Sequence, residues 1–592
     1  MTGSDVLDLP ACAGEGRLLI DRLMSLTPNH EPITTLTAGS ATRSAAVRFS
    51  AVAAPHVAAL ALMLHTETDF GSRLGFLLAW GILNGFWLVL LRRPAVSGAL
   101  ALTMVVVLVL LSQLKHAVVQ MTANFVDVML IDHDSAAFLF TIFPNLKLSV
   151  LVAAAVVLPL MGLLWWADPF RVARLPALAG KLACLAALTL YSLNWRDEAW
   201  RGYYDDGYLS KFARSGVTAV SDFLANGFME SDATADRKLA AFVPDSCHPA
   251  GRRPNIVLIH DESSFDIRSA DGIKVPDGYG SHFKSFDGKA RQFMAESNGG
   301  PSWFTEYNVL AGLSSRSFGR FAYFVTRIAS GRVERGLPLA LRNCGYDTVS
   351  LYPAHGAFMS ARSFQTTVGV DRFLDARDLG AKGVEPDGFF YDAALDLMQQ
   401  RQRNKPLFMF VYLAANHFPW ETTFRPDLTP SWRAPGNGPA IDEYLRRQAM
   451  SASDYQRFLA NLKKRFGDQP FLIVRYGDHQ PEFSPHILDP KLDEAGIGEK
   501  LESYDPRYYA TYYAVDAVNF EPRQSSVVMD RIDAAYLPLV TLEAAGIPLD
   551  PSFAEQKDIM LRCKGVFYAC GDGAEARRFN RMLIDAELIR GL

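Results

Sequence analysis

Four short apolar runs in the C-terminal half of this chain each end in residues able to bind a metal or move a proton. Ile256 to Ile259 leads into His260, Asp261, Glu262 and Ser263, and Thr348 to Tyr352 leads to His355. Leu407 to Leu413 leads to Asn416 and His417, and Phe471 to Val474 leads through Tyr476 and Gly477 to Asp478 and His479. Glu262, Asp478 and His479 offer two carboxylates and an imidazole. That mixed donor set suits Zn²⁺ or Mn²⁺, with Mg²⁺ as a third candidate, better than Ca²⁺. A fourth donor is available between Gly299 and Glu306, where Gly-Gly-Pro precedes Ser302. A glycine-rich turn opening a helix near Ser302 would present a hydroxyl and unpaired backbone N–H groups at a place suited to anions. A hydroxyl bound to a divalent cation is a usable nucleophile at neutral pH. Ser302 alone also fits an ordinary N-cap, with Thr305 or Glu306 completing the turn.

These residues need a scaffold that gathers them. From Asn255 onward β-rich runs alternate with helix-like stretches, the pattern of an α/β domain with a largely parallel sheet. In such sheets the site lies beyond the carboxyl ends of the strands. Clusters spread over 218 positions, from His260 to Asp478, would therefore converge.

The N-terminal part is different in kind. Ala95 to Leu114 and Leu148 to Ala167 each run 20 residues without an acidic or basic side chain, the length that crosses a hydrocarbon core of about 30 Å. Five spans are expected: Arg48 to Thr66, Leu74 to Leu91, Ala95 to Leu114, Leu148 to Ala167 and Leu175 to Asn194. Arg43 and Arg48, Arg92 and Arg93, and Arg171, Arg174 and Lys181 share one side only if the N-terminus is cytoplasmic. Everything after about Asn194 is then outside. The organisation expected is a cytoplasmic segment over 1–47, a five-helix transmembrane domain over 48–194, a juxtamembrane linker with an amphipathic helix over 195–251 and an extracytoplasmic α/β domain over 252–592. In the linker, Leu209, Phe212, Val217, Val220, Phe223, Leu224 and Phe228 recur at helical spacing and are expected to pack on the globular domain; the alternative is a helix lying on the membrane. No cleaved signal peptide is read before the first span, and Cys12 lacks the context for lipidation.

The chain has 59 Lys and Arg against 63 Asp and Glu, so no basic excess is available for a phosphate backbone, and nucleic acid is excluded as a partner. Four of the six cysteines, Cys247, Cys344, Cys563 and Cys570, fall in the exported part, where oxidation is allowed. Cys563 and Cys570 are expected to form a local disulfide. No CxxC spacing occurs, which argues against a cysteine zinc site.

Taken together, from about Arg48 to Pro548 the chain resembles the lipoteichoic acid synthase, phosphoglycerol transferase and phosphoethanolamine transferase group of the sulfatase and alkaline phosphatase superfamily. Glu262 stands where the family's first strand ends in Glu, and Ser302 stands four residues before Glu306, where the family has a nucleophilic Thr. Asp478 and His479 follow Tyr-Gly, Asn416 to Pro419 match an Asn-His-Phe-Pro element, and His355, Gly356 and Arg362 match a His-Gly segment with a downstream Arg. The departure is Ser for Thr, and Thr305 is the second choice of nucleophile. The Cys or Ser signature of true sulfatases is absent from this segment.

The resemblance implies a metal held by Glu262, Ser302, Asp478 and His479, attack by Ser302, and phosphate contacts from His355, Arg362 and His417, with Asn416 beside them. It implies transfer of a phosphoglycerol or phosphoethanolamine head group from a membrane phospholipid to a hydroxyl of an extracytoplasmic glycan or glycolipid, in a bacterial inner membrane. A hydrolase using the same residues with water as acceptor is one alternative, and a retired enzyme serving as a membrane scaffold is another. The topology is checked by reporter fusions: one placed after Asn194 is expected to be active only outside the cytoplasm and one near Arg92 only inside. A cytoplasmic Asn194 fusion would put donor lipid and exported acceptor on the wrong side.

Overall fold

Apolar residues that recur without interruption can build either lipid-facing helices or strands buried on both faces, and this chain does both. The computed structural model describes residues 40–592 apart from 120, 132–138, 142, 144, 196–204, 236, 241–246, 248–251, 402–403, 430 and 524. The segment 1–39, with Cys12, lies outside the described residues, and so does part of the loop between the third and fourth spans. The described chain divides into two units, one comprising 40–128 and 143–218 and the other 129–142 and 219–592.

The first unit holds five helices long and apolar enough to cross a membrane: α1 (Ser40–Thr66), α2 (Phe70–Leu91), α3 (Pro94–Val119), α4 (Leu146–Ala167) and α5 (Arg174–Asn194). All five expected spans are present. Helix ends are set by polar caps: Asp69 accepts from Ser72 N to open α2, and Asp168 Oδ2 accepts from Ala95 N at 2.8 Å to open α3. Helices α2 and α5 approach closely because glycines face the contact; a Cβ on Gly81 would stand 2.6 Å from Cys184 Sγ, and one on Gly85 2.7 Å from Lys181 Cβ.

Helix α6 (Tyr208–Asn226) carries the amphipathic stripe of the linker. Its first turn does not follow the expectation of packing on the globular domain. Tyr208 and Leu209 are buried among Ala59, Met63, Phe76, Ala79, Val105 and Val109 of the first unit. Glu67 anchors it there by accepting from Ser210 Oγ at 2.6 Å. Beyond the helix, Phe228 packs edge-on against Phe321, as expected for the globular domain.

The second unit is built on an eight-stranded sheet of order β4-β3-β5-β1-β6-β7-β2-β8. Its strands are β1 (Asn255–Asp261), β2 (Arg291–Met294), β3 (Asp347–Leu351), β4 (Arg372–Leu374), β5 (Leu407–Tyr412), β6 (Phe471–Gly477), β7 (Ala510–Val518) and β8 (Arg531–Asp533). Strands β4, β3, β5, β1 and β6 run parallel, and only β7 runs against its neighbours. The central strands are apolar throughout because both faces are covered. On one face Val257, Ile259, Met409, Val411 and Ile473 pack against Phe390 and Leu395 of α9 (Asp387–Gln400) and Tyr455 and Phe458 of α10 (Pro439–Phe466). The other face is covered by α11 (Leu537–Ala545), and α7 (Ser302–Ala311) packs on α11. A short helix α8 (Ala361–Thr367) follows β3. The expected disulfide between Cys563 and Cys570 is present, and Cys247 is joined to Cys344.

The C-terminus of α7 is held by one buried cation. Arg335, 2% exposed, donates from Nη1 to the carbonyls of Ala311 (2.6 Å) and Gly312 (3.0 Å), from Nη2 to Gln556 Oε1 and from Nε to Ser552 Oγ. The negative end of the helix dipole and Phe553 beneath the guanidinium replace a carboxylate partner. Arg335→Met keeps the bulk but strands those acceptors. It is expected to cost about 2–4 kcal/mol, read as a lowered melting temperature of the purified chain.

Candidate metal centre and nucleophile

Because β1 and β6 are adjacent and parallel, their ends deliver Glu262 and the pair Asp478 and His479 to one place. Helix α7 adds Ser302 as its first residue. Ser302 Oγ lies 3.2 Å from Glu262 Oε2 and 3.1 Å from His479 Nε2. His479 Nε2 is 3.5 Å from Glu262 Oε1 and 3.3 Å from Asp478 Oδ2. Donors bonded to a tetrahedral cation at about 2.0–2.1 Å stand about 3.3–3.4 Å apart, so these four spacings are compatible with the four groups sharing one cation. His479 is oriented as a ligand should be: its Nδ1–H donates to Gln480 O at 2.8 Å, leaving the Nε2 lone pair facing the carboxylates.

All four groups are buried. Burial, reinforced by the nearby charge of Asp478, pushes the Glu262 carboxyl above its usual range against the pull of His417, His479 and His260. Burial also opposes ionisation of Asp478, but His479 and His260 hold its carboxyl down to about 2. Burial alone would push the His479 imidazole down, yet Asp478 and Glu262 outweigh it and hold it up. The carboxylates thus draw positive charge into the cage, the demand a divalent cation meets.

Two local features set the geometry. Ser263 adopts φ +49°, a left-handed conformation that costs about 1–3 kcal/mol for a residue with a Cβ. There its N–H reaches Asp478 Oδ1 at 2.7 Å and its Oγ reaches Glu262 Oε1 at 2.9 Å. Gly477 makes the neighbouring turn, and a Cβ on it would lie 1.7 Å from Ser264 O.

The remaining expected site residues fall into two groups. Asn416 is buried and donates to Ser263 O at 3.4 Å, and His417 lies near enough to influence the Glu262 carboxyl, so both belong to this end of the sheet. His417 donates Nδ1–H to Phe418 O at 2.8 Å, which leaves Nε2 to carry or take up a proton. Thr305 is fully buried and spends its hydroxyl on Asp478 O at 2.7 Å. Its partner is a backbone carbonyl, whereas Ser302 faces the metal-binding atoms. Glu306, on the same helix, accepts from Gln365 Nε2 on α8, and burial pushes its carboxyl up to about 7. Arg362 directs its guanidinium to Asp375 (2.9 Å), Asp378 (3.1 Å) and the Phe373 carbonyl. Asp375 also accepts from Gly356 N, so Arg362 helps fix the turn that carries His355, whose Nδ1 accepts from Ala357 N.

Sequence reasoning left two contributors out of the site. Arg447, buried on α10, donates to the carbonyls of His417 (2.6 Å), Pro419 (2.7 Å) and Thr422 (2.9 Å) and to Glu443 Oε1, clamping the loop that bears His417. No local pattern announces a side chain whose partners are carbonyls 25 to 30 positions away. His260 groups with Glu262 and Asp478, their ligand atoms all within 4.8 Å of one another. Its signal was present, since residues two apart along a strand share a face.

Five membrane-type helices are followed in the chain by a mostly parallel α/β sheet with carboxylates and imidazoles buried at its strand ends, the fold class expected from the sequence. Residues 297–520, which include Ser302, Asp478 and His479, match the Sulfatase family model. An uncharacterized protein of Haemophilus influenzae is 25% identical over 284 residues, 45% of this chain and 48% of the relative, so the chain spans about half the length of the curated protein it matches. Among solved structures, the Streptococcus pyogenes phosphoglycerol transferase GacH in complex with sn-glycerol-1-phosphate is similar at 15% identity over 58% of this chain and 88% of that one, with a TM-score of 0.45. The lipooligosaccharide phosphoethanolamine transferase EptA of Neisseria meningitidis is similar at 13% identity over 86% of this chain and 96% of that one, with a TM-score of 0.41.

Removing a ligand should empty the cage without unfolding the domain. Elemental analysis of Asp478→Asn and His479→Ala is expected to show bound metal reduced by about tenfold or more. Stoichiometric metal in both variants would mean that the ligands lie elsewhere.

Proposed function

We propose that this protein transfers a phosphoglycerol or phosphoethanolamine head group from a membrane phospholipid to a hydroxyl of an extracytoplasmic glycan or glycolipid. The observation that carries the reading is the position of Ser302 Oγ, at the N-terminus of α7 and 3.1–3.2 Å from atoms of His479 and Glu262. Glu262, Ser302, Asp478 and His479 would hold one divalent cation, Mn²⁺ or Zn²⁺ with Mg²⁺ as the third candidate, and a cation bound there supplies Lewis acidity that favours the Ser302 alkoxide and polarises the phosphodiester.

Ser302, its hydroxyl proton given up to solvent beforehand, attacks phosphorus in line through Oγ. The Oγ–P bond forms as the P–O bond to diacylglycerol breaks, leaving the head group on Ser302. The free N–H groups opening α7 face the phosphate oxygens at the positive end of the helix dipole. His417, entering protonated on Nε2, delivers that proton to the diacylglycerol alkoxide, and in the return step takes one from the acceptor hydroxyl as that oxygen attacks the phosphoserine and the Ser302 alkoxide leaves, which restores both groups. Asn416 and the His355 turn border the substrate. An anchor in the inner membrane, with the catalytic domain on its outer side, suits a donor whose chains leave the bilayer only at about 0.8 kcal/mol per CH₂. The choice of these head groups rests on the motif resemblance.

Incubating the full-length chain with labelled phospholipid and mapping peptides by mass spectrometry is expected to place the head group on Ser302. Ser302→Ala should lose turnover by at least about 10³-fold and Ser302→Thr should keep part of it, because the hydroxyl survives. Thr305→Val, which removes the bond to Asp478 O but no reacting atom, should cost about 1 kcal/mol of stability and retain adduct formation. An adduct on Thr305 would reassign the nucleophile. Release of free phosphorylated head group with every hydroxyl acceptor absent would favour the hydrolase.

A further inference from the structure

His260 is not one of the four proposed ligands, yet it bonds one of them directly through a fully buried ring. The register of β1 places it between Tyr412 on β5 and Tyr476 on β6. The ring is fully buried, stacked on Tyr412 with centroids 3.8 Å apart and planes 24° from parallel. Nδ1 lies 2.8 Å from the Tyr476 hydroxyl and Nε2 lies 3.1 Å from Asp478 Oδ2. A carboxylate only accepts, so the shared hydrogen belongs to Nε2. A ring with its hydrogen on Nε2 accepts at Nδ1, and Tyr476 O–H is the donor in reach. Asp478 Oδ1 already accepts from Ser263 N and His479 N, both at 2.7 Å.

We infer that His260 is a positioning residue of the metal centre: the chain Tyr476 O–H to His260 Nδ1 and His260 Nε2–H to Asp478 Oδ2 fixes the Asp478 carboxylate and thereby sets the affinity of the cage. With Oδ1 held by two backbone donors and Oδ2 by one imidazole N–H, Asp478 has a single orientation before any cation arrives. Oδ2 is then presented 3.3 Å from His479 Nε2, at the edge length the cage requires. Tyr412 keeps the imidazole from tilting, and Tyr476 keeps it in the donating tautomer. The same role cannot be played by a side chain that donates at the position of Nδ1.

The inference rests on the metal site of the proposed function, and metal affinity, not transfer, is its readout. The full-length chain in detergent is stripped with a chelator and titrated with Mn²⁺, then with Zn²⁺, against a competing indicator. His260→Gln retains an N–H near the place of Nε2, whereas His260→Asn retains a polar group only near Nδ1. The affinity of His260→Asn is expected to fall by about 10–100-fold and that of His260→Gln to stay within about threefold of the unmodified chain, with Tyr476→Phe between them. Melting temperatures in the metal-free state check folding, and if His260→Asn does not fold, Tyr476→Phe decides alone by a loss of several-fold. Equal affinity in all the chains overturns the inference, and so does an equal loss in the Gln and Asn variants, which would make the imidazole itself the ligand. An unmodified chain that binds neither metal overturns the metal site and this inference with it.

Discussion

Two carboxylates buried side by side repel each other and lose their hydration, and the catalytic unit is arranged around paying for Glu262 and Asp478. The groups that face them are the imidazoles of His479, His260 and His417. Backbone N–H groups of Ser263 and His479 take up one oxygen of Asp478. What histidines and amides leave uncompensated is the attraction for a divalent cation, so the features that make the pair unfavourable alone make it a strong site when filled. The adjacency of β1 and β6 follows from this need, since neighbouring parallel strands bring both carboxylates to one end of the sheet.

Around that pair the side chains divide into those that face the reacting atoms and those that hold them in place. Thr305 ties the nucleophile helix to the carbonyl of Asp478, so Ser302 and the ligand turn shift together. Arg335 closes the other end of the same helix. Arg447 holds the loop of His417, and Arg362 with Asp375 holds the turn of His355. Three of these are arginines, and each bonds at least one backbone carbonyl. A planar fork with five donors can arrest several strands of loop at once, which a lysine ammonium cannot do with the same geometry.

Much of this was legible because the ligands sit at strand ends, where apolar runs stop abruptly at Glu262, His417 and Asp478. The order of the sheet was not: neither composition nor spacing says that β7 runs antiparallel or that β1 lies between β5 and β6. The stripe on α6 read clearly as amphipathic, but periodicity does not name the surface a helix meets, and the buried Tyr208 and Leu209 meet the helical unit. The roles of Arg335 and Arg447 stayed hidden for a related reason. Their partners are carbonyls, which every residue possesses, so no side-chain pattern marks them. Thr305 and Ser302 were hard to rank from spacing alone; the direction each hydroxyl takes, toward a carbonyl or toward the cage, separates them.

Gly477 shows how a motif can mix two kinds of letter. The run Tyr476, Gly477, Asp478, His479 reads as chemistry, and its last two members are the proposed ligands. The glycine supplies none; its missing Cβ is the space occupied by Ser264 O, 1.7 Å from where that carbon would be. That space lets the turn after β1 settle against the end of β6, which is how the Ser263 N–H comes to meet Asp478. Genome surveys that score such domains by their metal ligands alone will therefore count false positives. A homologue carrying alanine at this place could keep every ligand and still fail to assemble them, so the glycine belongs in any pattern used to infer activity.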